Sequence, residues 1–492
     1  MGHTIQTKYG LLQGQARDGV VSFLGVPYAA SPTGPLRFGP PVPPEPWEGV
    51  RTAAGYGPTP PKPDYPPPFD TLFAEPNVPG DDWLNLNVWT PDPDAAGLPV
   101  LVWIHGGAFA NGNSAIPLYD GHAFARDGVV LVSINYRLGV DGFALLPGKP
   151  ANRGLLDQIA ALEWVRDNIA AFGGDPGNVT VFGESAGAMS VITLLAMPAA
   201  AGLFGRAIAQ SGAAQAAAVP ADAALVTAEL GRALGIEGEV TAAALARIGL
   251  PELIKGQAAV RDALAASADP ARFGPSIVAS TMPFIPVIDG DTLPEHPLAS
   301  IAAGSGADVT LMIGTNSDEF RTFLVPSGMT AMVSDEVLAS MGGAVGAGPS
   351  VISAYRTTRP EASPGDLLAA LLTDRFFLLP AIAVAQARAE GPAATYFYEF
   401  AWRHPQVGAG HGLDVPFVFD NLSAAGAELV AGPDAPHGLA DEMHQTWVRF
   451  ASTGQPGWPA FDQTIPVRIF DDGDGGVRVD PHAAERAAWP RG

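Results

Sequence analysis

Apolar and polar positions alternate differently in different parts of this chain. Up to about residue 60, short alternating runs such as GVVSFLGVPYAA are broken by glycine and proline, which predicts small strands and turns. From residue 84 onward LNLNVWTP, LPVLVWIHGG and GVVLVSINYRL read as successive strands. The last two are nearly continuous in apolar residues, as strands buried on both faces require. GLLDQIAALEWVRDNIAAFGGDPGN then places Leu155, Ile159, Leu162, Val165 and Ile169 at three- and four-residue spacing. That spacing predicts an amphipathic helix, stopped at Gly173 and Gly174 with Pro176 beyond. VTVFG follows as a strand and AGAMSVITLLAMP as a helix.

Strand and helix in alternation imply a parallel sheet with crossover helices. Residues 214–275 and 330–395 are alanine-rich with helical periodicity, and strands return at ADVTLMIGT and ATYFYEFAW. The expectation is one α/β domain over residues 1–492, its mostly parallel sheet flanked by helices, with helical insertions around 214–275 and 330–395. No internal repeat is visible. VRIFDDGDGGVRVD predicts a hairpin, since its Asp/Gly cluster lacks the twelfth-position Glu of a calcium loop. The proline-dense GPTPPKPDYPPPFD, residues 57–70, reads as a stiff surface loop.

Composition narrows the function classes. Of 492 residues, 27 are basic and 50 acidic, a net charge of −23 that repels nucleic-acid phosphates and anionic lipid. The absence of cysteine excludes thiol catalysis and thiolate metal sites, and suits a reducing compartment. No stretch approaches 18 uninterrupted apolar residues, and MGHTIQTKYGLLQG lacks the basic start and apolar core of a signal peptide. The expected location is cytoplasmic.

Within VTVFGESAGAMS, Ser185 sits between Gly183 and Gly187, after a strand and before a helix. Such a turn lifts a serine hydroxyl above the carboxyl edge of a sheet. A hydroxyl is a poor nucleophile until a base takes its proton, so a histidine oriented by a carboxylate must follow. Upstream, WIHGGAF supplies bare backbone N–H groups at Gly107 and Ala108, which with that of Ala186 would form an oxyanion hole.

These motifs, together with FLGVPYA, GPLRFGPPVPPEPW, NYRLGVDGF, AIAQSGAA, GTNSDEF, HGLDVPFVFDN and WVRFASTGQPGWPAF, run in order through nearly the whole sequence. In them the chain resembles the type-B carboxylesterase family, most of all its bacterial, cysteine-poor, para-nitrobenzyl-esterase-like branch. The resemblance implies the α/β-hydrolase fold, with the helical insertions over the active site. It also implies a triad in the order Ser185, Glu319, His411, with Asp318 as the alternative acid. Of the six histidines after Ser185, only His411 matches the family motif; His105 reads as structural. Ser211 in AQSG is implied to hydrogen-bond Glu319, or else caps a turn. Phe320 and Phe323 either line the acyl side of the pocket or belong to the core.

The implied activity is hydrolysis of carboxylic esters of short to medium chain, bulky or aromatic, without metal or cofactor. The partner is a small-molecule ester; no nucleic acid, membrane or obligatory protein partner is expected. Amide or carbamate hydrolysis on the same triad is the alternative, and a non-catalytic binding protein a more distant one. Trp83 stands at the family's cysteine position, and the choline-stacking loop has no recognisable counterpart, which leaves choline specificity unsupported.

Overall fold

The computed structural model describes residues 3–490. Its N-terminal strands are β1 (Thr4–Thr7), β2 (Gly10–Gln13), β3 (Gln15–Arg17), β4 (Val20–Pro27) and β5 (Val50–Thr52). The central ones are β6 (Asn85–Thr90), β7 (Leu98–Ile104), β8 (Val130–Ile134), β9 (Gly174–Glu184) and β10 (Arg206–Gln210). β11 (Thr310–Asn316), β12 (Thr395–Phe400), β13 (Pro466–Phe470) and β14 (Gly476–Val479) complete the set. β1, β2 and β5 form a three-stranded sheet. The other eleven form one sheet in the order β14-β13-β12-β11-β10-β9-β7-β8-β6-β4-β3.

From β13 to β8 every neighbouring pair is parallel, and the strands beyond either end are antiparallel. β13 and β14 form the expected hairpin. Alternation explains the burial. Val100, Val102 and Ile104 of β7 enter one core layer, while Leu101 and Trp103 enter the other. Val179 and Val181 divide from Phe182 in the same way on β9. Both faces are therefore dry, which is why these strands read as continuous apolar runs.

Helices cover both faces. α1 (Arg153–Asn168) and α2 (Ala186–Ala196) belong to the first layer, α4 (His437–Thr453) to the second, and α3 (Leu250–Ala266) lies in the first alanine-rich stretch. The predicted stripe of α1 is buried at Leu155, Ile159, Leu162 and Val165. A 3₁₀ turn extends it to Phe172, where Gly173 closes it at φ 83°. β9 already begins at Gly174, ahead of the expected VTVFG strand, and so includes Pro176, with its register against β7 shifted there. The loop after β8 is held to α1 by Arg137 and Asp157, both fully buried and paired twice, Nη2–Oδ1 at 2.7 Å and Nε–Oδ2 at 2.8 Å.

Pro364–Arg388 is one helical run with the length and mean hydropathy (1.9) of a membrane span, yet 72% of its apolar window is buried within the protein. It is interrupted by a π-turn at Asp374–Leu378, a local insertion that re-aims the side chains it carries.

The chain passes from β7 to β8 on one side and returns to β9 on the other. This reversal of strand order opens a crevice at the carboxyl ends of β7 and β9, where α/β sheets place their ligands.

Candidate active site

β9 ends at Glu184 and α2 begins at Ala186, so Ser185 alone makes the connection. Its backbone sits at φ 55°, ψ −123°, a conformation that L-residues avoid and that persists only where surroundings enforce it. The Ser185 N–H donates to the Gln210 carbonyl at 2.9 Å, and the Ser185 carbonyl accepts the Met189 N–H at 2.9 Å. The flanking glycines are required by contact with β7. A Cβ on Gly187 would meet the Ile104 carbonyl oxygen at 2.0 Å, and one on Gly183 would meet it at 2.6 Å.

At the end of β7, Gly107, Ala108 and Phe109 all have positive φ, at 110°, 53° and 58°. The Gly107 carbonyl accepts the N–H groups of Ala110 and Asn111, closing a tight turn. Among the described residues the N–H groups of Gly107 and Ala108 have no acceptor, and that of Ala186, first in α2, has no intrahelical one. The turn is anchored from behind: the Gly112 N–H donates to Glu75 Oε1 at 2.8 Å. Glu75 also lies 3.2 Å from Lys62 Nζ. His105 is fully buried, its ring stacked on Tyr136 at 4.5 Å, and burial drives its pKa down to about 3. It is a neutral wall of the turn.

Glu319 and His411 come from the loops after β11 and β12. Glu319 Oε2 lies 2.6 Å from His411 Nδ1, and its Oε1 accepts the Asn316 N–H at 2.8 Å. Asp318 turns away, pairing with Arg403 at 3.0 Å and accepting the Ala409 N–H. The hydrogen bond from Ser211 to Glu319 that the resemblance implied is absent. Ser211, held at φ 53°, buries its Oγ without a partner among the described residues, while the Glu319 oxygens are taken by the Asn316 N–H and by His411 Nδ1.

Two further carboxyls, Glu184 and Asp414, adjoin this pair, and Glu75 stands behind the oxyanion turn. Glu184 Oε1 is 3.1 Å from His411 Nε2, without hydrogen-bond alignment. Burial raises the Glu184 pKa to about 8, against the pull of the neighbouring His411. Asp414, fully buried and held by Gln210 and Asn316, is raised to about 6 by the same cause. Glu75 is raised by burial, against the pull of Lys62. For His411, burial lowers the pKa, but the carboxylates of Glu184 and Glu319 outweigh it and hold it at about 9.

Ser185 and His411 open onto two lobes. One, of about 570 Å³, is bounded by Tyr65, Phe73, Glu75, Tyr119 and Glu184. The other, of about 310 Å³, is walled by Phe284, Phe320, Phe323, Phe376 and Phe377. Phe323 borders both, and Phe377 and Phe323 flank the His411 ring at 4.8 Å and 5.3 Å between centroids. Phe320 also packs against the satellite core beneath the second alanine-rich stretch.

Comparison with known proteins agrees with this geometry. The model of the carboxylesterase family matches residues 2–468. This chain belongs to that family. The para-nitrobenzyl esterase of Bacillus subtilis (strain 168) is 38% identical, covering 98% of this chain and 97% of its own. The phenmedipham hydrolase of Pseudarthrobacter oxydans is 37% identical over 96% and 95%. Among solved structures, the Geobacillus stearothermophilus carboxylesterase EST55 superposes with a TM-score of 0.86 at 37% identity, covering 99% of this chain and all of that one. The chain is thus a serine carboxylic ester hydrolase of the α/β-hydrolase fold.

Sequence reasoning missed several walls of the esterase's site. The 57–70 segment is a surface loop that also walls the site: Pro63, Tyr65 and Pro66 border the lobes, and Asn111 fixes it by donating to the Pro63 carbonyl at 2.6 Å. Phe376 and Phe377 lay inside a helical stretch with nothing to set them apart. Glu184 could have been found, as a carboxylate directly beside the elbow serine.

Proposed function

We propose that the esterase works through an acyl-enzyme on Ser185, with His411 as base, Glu319 as orienting acid, and the N–H groups of Gly107, Ala108 and Ala186 as oxyanion hole. The observation that carries this reading is the 2.6 Å contact between Glu319 Oε2 and His411 Nδ1, in a ring that borders the same lobes as Ser185. Glu319 fixes the tautomer with the proton on Nδ1, leaving Nε2 free to accept. Nε2 takes the Ser185 proton as Oγ bonds to the ester carbonyl carbon. The oxyanion collects the three N–H groups, which need not reorganise as charge develops. Collapse expels the alcohol, protonated by Nε2; water then repeats the sequence and releases the acid.

The phenylalanine-walled lobe takes the acyl group and the larger lobe the alcohol. Volumes of this size and their aromatic lining support bulky or aromatic esters of short to medium chain. The whole chain acts as one domain, and its lack of cysteine supports a cytoplasmic setting. The test is turnover of 4-nitrophenyl acetate, butyrate and octanoate and of 4-nitroacetanilide. Ester turnover fastest on the shorter chains, with slow or absent anilide cleavage, is expected; anilide cleavage at ester rates would favour an amidase.

A further inference from the structure

The phenylalanine-walled lobe holds polar groups that the reaction at Ser185 does not use. Gln257 and Arg261 stand four residues apart on α3, hence on one face of the helix, and both border this lobe. Gln257 is only 6% exposed. Its Oε1 accepts the Val140 N–H at 3.1 Å, and its amide packs on Gly139, where a Cβ would come within 2.0 Å of Oε1. That contact fixes which way round the amide sits, because the flipped form would set an NH₂ against an N–H. Nε2 is left buried with no partner among the described residues. A dry, unpaired donor is costly unless something supplies the acceptor.

Among the described residues, Arg261 is the only formally charged side chain bordering this lobe besides His411. Its Nη1 reaches the Asp64 carbonyl at 3.3 Å, and its ion pair is with the neighbouring Asp262, whose side chain is 65% exposed. Such a pair is weak and readily exchanged. The larger lobe has the opposite polarity, with Glu75 and Glu184 and, among the described residues, no lysine or arginine along its walls.

We infer that the phenylalanine-walled lobe is shaped for an acyl group ending in a carboxylate, the monoester of a dicarboxylic acid. The apolar part of the acyl group lies among Phe320, Phe376 and Phe377, and its free carboxylate accepts from Arg261 and from Gln257 Nε2. A methyl-ended acyl group leaves Gln257 Nε2 unpaired and Arg261 in its exposed pair with Asp262, and a buried polar group left unpaired is how a site discriminates between substrates. The inference rests on the reading of Ser185 as nucleophile and of this lobe as the acyl site. The net charge of −23 opposes the approach of any anion, so selectivity is read between variants that share this field.

The experiment measures kcat/KM for mono-4-nitrophenyl adipate and 4-nitrophenyl hexanoate with wild type, Arg261→Gln and Gln257→Glu, subtracting the Ser185→Ala background. Gln257→Glu keeps the acceptor for Val140 and removes the donor. Each variant is expected to lose about ten- to hundredfold on the adipate ester, the size of a charge-assisted hydrogen bond. The hexanoate ester should stay within about twofold. Equal changes on both esters, or none on either, overturn the inference. Arg261→Gln, at a half-buried helix position, decides the matter if Gln257→Glu does not fold. A selective loss on 4-acetoxybenzoate, whose carboxylate is on the alcohol half, overturns the assignment of the lobe. Failure of wild type to hydrolyse the hexanoate ester overturns the underlying reading of Ser185 instead.

Discussion

The His411 ring lies between two carboxyls, with Glu319 Oε2 2.6 Å from Nδ1 and Glu184 Oε1 3.1 Å from Nε2. The first is aligned as a hydrogen bond and the second is not. Glu319 therefore orients the ring, while Glu184 acts on it through charge alone.

A base must be unprotonated to accept, so kcat/KM should rise as pH passes the His411 pKa, which these carboxylates move from 6.5 to about 9. Glu184→Gln removes one negative charge, so the imidazolium is less stabilised and the rise should move to lower pH. A pH–rate profile of the two proteins checks this. An unchanged or alkaline-shifted midpoint would mean that Glu184 does not act electrostatically on His411.

Glu319→Gln should cost about 10⁴ in kcat, as when a triad acid loses the ability to hold its histidine tautomer. Asp318→Asn should cost less than about tenfold, since Asp318 bonds Arg403 and the Ala409 N–H rather than the imidazole. Steady-state kinetics on one chromogenic ester decides, and the reverse ranking would reassign the acid.

Glu75 ties the proline-rich segment to the turn that carries the oxyanion donors. Glu75→Ala frees the Gly112 N–H and should lower kcat by about ten- to hundredfold through misplaced donors. Glu75→Gln keeps an acceptor for that N–H and should recover most of the loss. Equal damage from both substitutions would mean that the Lys62 ion pair, not the hydrogen bond, holds the turn.

Asp157→Ala leaves Arg137 buried and unpaired beneath the site, and should destabilise the fold by about 3–5 kcal/mol. Denaturant titration reads this loss directly. The KM of the protein that remains folded should be unchanged, because neither residue borders a lobe.

The sheet was legible because its strands are dry on both faces, which leaves uninterrupted apolar runs in the sequence at β7 and β8. The elbow was legible for a steric reason: Gly183 and Gly187 abut the Ile104 carbonyl, so the motif records a contact. Glu319 and His411 lie on separate loops, and resemblance rather than spacing singled them out. The acyl wall was hidden for a different cause. Phe376 and Phe377 sit in an apolar helical stretch, and the π-turn that re-aims them has no mark in hydrophobic periodicity. Gln257 and Arg261 likewise look like the polar face of an ordinary surface helix; only tertiary packing brings the Gly139 backbone against one of them. The proline-rich segment is the surface loop its sequence predicts, but proline density reports stiffness alone, and the surface a stiff loop covers depends on where its ends are anchored.

The most direct measurement compares wild type, Ser185→Ala and His411→Ala on 4-nitrophenyl butyrate, with folding of each checked by circular dichroism. Each substitution should lower kcat by about 10⁶, because residues that act as a unit fail as one. A folded variant that keeps more than about a tenth of wild-type activity would contradict the assignment of that residue.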